Sequence, residues 1–120
     1  MDMPTPLVEH GDCRKISGIL ARVGDKWTVL VVMTLREHSR RFNEIKRTVG
    51  GISQQMLTRT LKALERDGMV MRTVHPTVPP QVEYALTPLG MSLAEPVLHL
   101  GEWAREHLAE IEANRASYDL

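Results

Sequence analysis

Gly50-Gly51 stands between two short runs of helical spacing, and a serine at position 53 opens the second run. Few arrangements satisfy that punctuation. In the first run, residues 42–49, Phe42, Ile45 and Val49 fall on one side of a short helix. In the second, Leu57, Leu61 and Leu64 share one side of a longer helix, with Met56 and Thr60 alongside. Paired glycines mark a tight turn. Ser53 is a good N-cap, because its hydroxyl accepts from the free N–H groups of a first helical turn. Gly68 stops the second helix.

The flanking segments extend this unit. Ile16, Ile19, Leu20 and Val23 recur at helical spacing, predicting a first helix over 13–23 that ends at Gly24. Asp25 then caps a second helix over 26–37, with Trp27, Leu30, Val31 and Thr34 on one side. His38-Ser39-Arg40 breaks the pattern. Residues 69–75, Met-Val-Met-Arg-Thr-Val-His, read as a strand. Pro76, Pro79 and Pro80 cannot donate to a ladder, so 76–80 is a tip. Val82, Tyr84 and Leu86 alternate with Glu83, Ala85 and Thr87 as the return strand. Thr87-Pro88 caps a last helix to about residue 116, since proline's missing N–H costs nothing at the first helical position. Its stripe is Leu89, Leu93, Val97, Leu100, Ala104, His107 and Ile111, and Pro96 is expected to kink or break it near Glu95. The fold class expected is mainly α with a small β-hairpin: a mobile arm over 1–12, one domain over 13–117 and a tail over 118–120.

Charge gives the hairpin and the helix from Ser53 a purpose. The chain is neutral overall, but residues 36–72 carry nine basic and four acidic side chains, a net +5. Residues 83–120 carry seven acids and two arginines, a net −5. One face toward phosphates and another away from them fits that split. A short helix, a tight turn and a second helix have helix-turn-helix proportions. In that motif the second helix enters the major groove, and its N-terminal residues meet base edges. Gln54 and Gln55 present the donor and acceptor that adenine requires, and Arg59 the planar fork that matches guanine. Ser53 and Thr58 are placed for phosphate or base, Lys62 and Arg41 for phosphates. The hairpin, about 69–87, becomes a wing with Arg72, His75, Thr77 and Gln81 as backbone or minor-groove contacts. These residues predict a winged helix-turn-helix whose partner is double-stranded DNA and whose recognition helix spans about 53–67.

Arg41-Phe42-Asn43-Glu44-Ile45, Gly51-Ile52-Ser53-Gln54, Met56-Leu57-Thr58, the run from Leu61 to Gly68 and the run from Pro76 to Gly90 carry a closer likeness, as does Gly24-Asp25-Lys26-Trp27. Over residues 13–108 the chain resembles the HxlR family of bacterial winged-helix regulators, relatives of the MarR regulators. The resemblance implies a homodimer built from the first and last helices, acting on a pseudo-palindromic operator as repressor or activator. The interface it implies uses Ile16, Ile19, Leu20, Val97, Leu100, Trp103, Ala104, His107 and Ile111. It also implies a sensor. Family members often carry a cysteine near the start of the first helix that responds to quinones, aldehydes or oxidants, and Cys13 stands there. A thiol at a helix start beside Arg14 and Lys15 is expected to be reactive. The family usually follows this cysteine with proline, whereas here Arg14 follows. With one cysteine per chain, a disulfide is intermolecular, or the thiol is alkylated or capped by a small thiol.

Other classes find less support. There is no Ser/His/Asp set, phosphate loop or apolar carboxylate pair, so neither an enzyme nor a cofactor is expected. His10 and Cys13 have ligand-like spacing without further ligands, so no metal is expected. Trp27 and Trp103 read as core or interface residues. No apolar run reaches the roughly 18 residues of a membrane span, and the N-terminus lacks signal-peptide character, so the cytoplasm is the expected location. Two binding alternatives remain open. One is a repressor that holds an apolar ligand between its dimerisation helices and the winged part. The other is a winged-helix protein-interaction module, against which the polar face Gln54-Gln55-Thr58-Arg59 counts.

Overall fold

The computed structural model describes residues 12–120. The expected arm over 1–12, save Asp12, and His10 lie outside the described residues. The chain runs α1 (Cys13–Val23), α2 (Lys26–Glu37), β1 (Arg40–Arg41), α3 (Phe42–Val49), α4 (Gln54–Arg66), β2 (Val70–His75), β3 (Gln81–Leu86) and α5 (Pro88–Tyr118). This is a mostly helical winged helix-turn-helix with a small antiparallel sheet in the order β1-β3-β2. Among the described residues no helix is long and apolar enough to cross a membrane.

Local chemistry sets the helix starts. Asp25 Oδ2 accepts from the backbone N–H groups of Trp27 and Thr28, each at 3.1 Å. Ser53 Oγ accepts from Met56 N–H at 3.1 Å. Thr87 Oγ1 accepts from Gly90 N–H at 3.2 Å, with Pro88 next to the cap. Each cap satisfies donors that the first turn leaves without an intrahelical partner. Between α3 and α4, Gly50 and Gly51 both adopt positive φ, 72° and 73°. Side chains with a Cβ rarely adopt that conformation, which is why the turn needs this pair.

The core lies where α2, α3, α4 and the sheet converge. Val31, Val32, Leu35, Ile45, Ile52, Leu57, Leu61, Leu64, Val70 and Ala94 form one buried cluster. The leucine stripe of α4 is buried as its spacing predicts. Helix α2 departs from its predicted face: Thr28, Val31, Val32, Thr34 and Leu35 are buried, while Trp27 and Leu30 are only half-buried. The reason is that α2 packs on α3, α4 and β3 as well as on α5, so its buried face is broader than one stripe.

Three further expectations need correction. The polar break at 38–40 contains a strand, because Arg40 pairs with Tyr84 and Arg41 with Glu83. The sheet therefore has three strands where a hairpin was expected. Two residues cannot show a period of two, so only β3's unpaired edge reveals the third strand. As the central strand, β3 is half-buried throughout and shows no in–out alternation of exposure. Pro96 does not break α5, which continues to Tyr118, past the expected end near 116 and into the expected tail. Proline removes one helical hydrogen bond, but Ala94 and Val97 on either side of it are buried, and α5 packs on α2.

Gly90 fixes where α5 leaves the sheet. A Cβ built there would lie 2.1 Å from the carbonyl oxygen of Met69. That oxygen also accepts from Thr87 N–H at 3.0 Å, so it has little freedom to move. Gly90→Ala is therefore expected to destabilise the fold by about 1–3 kcal/mol through overpacking. Urea unfolding that gave the substituted and parent chains the same midpoint would contradict this close approach.

Candidate nucleic-acid interface

Burial of Leu57, Thr60, Leu61 and Leu64 on one side of α4 decides what the other side presents. With 3.6 residues per turn, the ridge opposite them is Gln55, Arg59, Lys62 and Arg66, all exposed. Gln54 and Thr58 lie on the flank toward the sheet. There, with Lys62, Glu65 and Arg72, they rim a groove of about 530 Å³ floored by Phe42, Leu61, Val82 and Tyr84. On its other side the ridge borders a second groove, where Arg59 meets Gly18, Ala21, Arg22 and Asp25.

A third groove joins α3 to the hairpin tip and is lined by Arg41, Asn43, Glu44, Arg47, Pro80 and Gln81 among others. Arg41 binds both sides of it. Its guanidinium donates to Gln81 Oε1, and its backbone N–H donates to Glu44 Oε1 at 3.1 Å. The wing tip is thus tied to the start of α3 by a side chain that still presents cationic N–H groups.

Ion pairing sorts the basic residues. Arg36 lies 3.7 Å from Glu95, and Arg40 lies 3.4 Å from Glu37 while donating to Thr34 O at 3.1 Å. Both serve the scaffold. Among the described residues, Arg41, Lys46, Arg47, Arg59, Lys62, Arg66 and Arg72 form no ion pair. Of the twelve lysines and arginines without an ion pair among the described residues, these seven lie on β1, α3, α4 and β2, and the other five, Arg14, Lys15, Lys26, Arg105 and Arg115, are spread over α1, α2 and α5.

Not every residue singled out in the sequence joins this face. Arg72 reaches the α4 groove, but His75 lies on the other side of the sheet, with its Nε2 3.4 Å from Glu83 Oε1 and outside hydrogen-bond geometry. Glu83 also accepts from Ser39 Oγ at 3.3 Å. Thr77 sits in the tip and donates to Pro79 O at 2.7 Å. Thr58 Oγ1 donates to Gln54 O at 2.9 Å, which occupies its hydroxyl proton within the helix. Ser53 is exposed and serves as the cap. Conversely, Arg66, Arg47 and Asn43 belong to the surface and were not singled out. Helical phase, four residues on from Lys62, could have found Arg66. Only the folded hairpin brings Pro80 and Gln81 to Asn43 and Arg47.

The residues implied for a dimer contact divide too. Ile19 and Leu20 on α1, and Leu100 and Trp103 on α5, are each more than half exposed. Ala104 is exposed, and Ile16, His107 and Ile111 are half-buried. Trp103 and His107 stack with ring centroids 4.6 Å apart. Val97, only 8% exposed, belongs to the interior of its own chain. Its stripe position placed it with Leu100, but its own chain already covers it.

A small helix-turn-helix flanked by a hairpin wing, with seven unpaired cations on and around its two helices, has the architecture of a transcription regulator. A model of the HxlR-like helix-turn-helix family matches residues 22–112, and the chain belongs to that family. It is 44% identical over 97 residues to the uncharacterised HTH-type transcriptional regulator YtfH of Escherichia coli, covering 81% of this chain and 77% of the relative. Among solved structures it is similar to the regulator ytfH from Salmonella typhimurium, with a TM-score of 0.78, 40% identity and coverage of 83% and 89% of the two chains. It is also similar to the redox regulator HypR in its reduced form, with a TM-score of 0.76, 37% identity and coverage of 82% and 98%. The oxidised form of HypR matches as well, with a TM-score of 0.71.

The Ser53 cap places the start of α4 and hence the whole outward ridge. Ser53→Ala is expected to cost about 1 kcal/mol of stability, and Ser53→Asp, which keeps a capping oxygen, to cost little. Equal losses for the two substitutions in chemical denaturation would contradict a capping role.

Proposed function

We propose that this transcription regulator binds a pseudo-palindromic DNA operator as a homodimer in the cytoplasm, placing α4 of each protomer in the major groove. The observation that carries the reading is the cluster of unpaired cations on α3, α4 and β2, set beside a polar α4 ridge rather than an apolar one. Arg41, Arg47, Lys62 and Arg72 take backbone phosphates, and the N-terminus of α4 adds the positive end of its dipole. Ser53, Gln54 and Thr58 line the approach. The hairpin tip with Thr77 and Gln81 follows the adjacent backbone. His75, turned to Glu83, acts through the wing's shape.

The dimer would join through α1 and α5. Helix α1 has no buried residue, and Ile19, Leu20, Leu100, Trp103 and Leu108 are each more than half exposed. Apolar side chains gathered this way on two helices need a cover. A two-fold pair of such chains would present two α4 helices to one face of a duplex, which is the symmetry a palindromic site mirrors. Leu100→Asp with Trp103→Ala is expected to yield monomers in analytical ultracentrifugation and to abolish tight operator binding. A parent chain that sediments as a monomer at micromolar concentration would overturn the assembly.

Cys13 is the sensor in this reading. It is exposed and opens α1, the helix assigned to the dimer contact, and a relative of the same fold is a redox regulator. Oxidation or alkylation there would alter the contact between protomers and so operator affinity. In gel shifts, diamide or a quinone is expected to change binding by the parent and to leave Cys13→Ser unaffected. The same response in both would remove Cys13 from the switch.

DNA binding itself has a physical signature. Affinity should fall steeply with salt, by a logarithmic slope of about 0.9 for each phosphate contact through counterion release. Arg72→Ala and Lys62→Ala should each reduce that slope by about one. A slope unchanged by both substitutions would contradict their phosphate contacts.

A further inference from the structure

Resting on the DNA-binding reading above, we infer that base readout is divided unequally along α4: Arg59 reads a guanine, Gln55 reads an adenine about two base pairs away, and helix α1 keeps Arg59 available. The unequal division follows from the sides of the helix. Gln54 and Thr58 lie on the flank toward the sheet, where they rim the groove with Arg72, and Thr58 has committed its proton to Gln54 O. Gln55 and Arg59 lie on the ridge opposite the buried leucines, so they point at the floor of a groove that receives α4. Four residues of helix advance about 6 Å, close to two base-pair steps of about 3.4 Å. Lys62 and Arg66 lie further from the N-terminal end, where the groove curves away and phosphates are nearer.

The availability of Arg59 is a tertiary matter. A guanidinium beside carboxylates would pair with them and lose its fork for guanine. Two acids lie in this region, Asp25 in the same groove as Arg59, and neither forms an ion pair with it. Asp25 Oδ2 takes the two N–H groups that open α2. Asp67 lies 3.9 Å from Arg22. Across the groove from Arg59, α1 contributes Gly18 and Ala21, the smallest side chains it has. A Cβ at position 18 would meet nothing within 4 Å, so an added side chain there has room. Arg22 of α1 also lines this groove, but it is a cation held toward Asp67 and offers Arg59 no carboxylate; with Gly18 and Ala21 beside it, α1 leaves Arg59 unpaired, as a glutamate at position 18 would not.

The test is selection of duplexes from a randomised pool by the full-length parent, Arg59→Ala, Gln55→Ala and Gly18→Glu, followed by affinities on the selected sites. The parent is expected to enrich half-sites with a fixed guanine and a fixed adenine two positions apart. Arg59→Ala should lose the guanine preference alone, by about tenfold or more, and Gln55→Ala the adenine preference alone. Gly18→Glu should lower the guanine preference through an ion pair with Arg59, although position 18 itself meets no DNA. Its fold is checked by an unfolding midpoint no lower than the parent's, since replacing a helical glycine removes backbone freedom, and by an unchanged adenine preference. If the parent enriches a motif whose base preferences survive Arg59→Ala and Gln55→Ala, the division of readout is wrong while DNA binding stands. If only Gly18→Glu leaves the guanine preference intact, α1 does not control Arg59. A parent that enriches no motif would overturn the DNA-binding reading and this inference with it.

Discussion

Burial of the α4 leucines is the interaction on which the rest depends. Leu57 and Leu64 are fully buried and Leu61 nearly so, and they hold α4 against the same core that α2 and the sheet complete. Truncating any one of them would typically cost about 2–5 kcal/mol, a large share of what a domain of this size has to lose. Because a helix is rigid, fixing its apolar side also fixes its opposite side. The outward set of Gln55, Arg59, Lys62 and Arg66 is a geometric consequence of inward packing, and the surface offered to DNA is as stable as the core beneath it.

The second half of the design is restraint in ion pairing. The chain has equal numbers of acidic and basic residues, yet only three lysines and arginines form ion pairs among the described residues. Arg36, Arg40 and Arg22 take their acids from α5, α2 and the end of α4, and no acid pairs with the cations of the candidate face. Exposed pairs of this kind add little stability. Their value lies in which cations they leave free.

Much of this was legible in the residues. Caps at Asp25, Ser53 and Thr87, the glycine turn, the leucine stripe and the proline tip are local signals, and local signals suffice for local structure. The signals failed where structure depends on partners distant in sequence. Arg40-Arg41 is a strand only because β3 offers an edge. α2 buries a broad face because it has neighbours on two sides. α5 survives Pro96 because packing holds the turns on either side. Val97 looked like an interface residue by its stripe and proved to be interior, since a stripe says which side of a helix is apolar but not what covers it.

The sequence by itself determined the order of elements, the basic middle and acidic end, and the polar chemistry of the helix after Ser53. Those follow from spacing, capping and charge, which act over a few residues. Tertiary structure alone decided which side of that helix each polar residue takes relative to the wing and to α1. It turned Gln54 and Thr58 toward Arg72, sent His75 to the far side of the sheet, and set Arg59 across from Gly18 and Ala21. The physical reason is that helical phase gives only relative angles along α4. The absolute direction of each side chain is set by where α1, α2 and the sheet pack, through contacts between residues far apart in the chain.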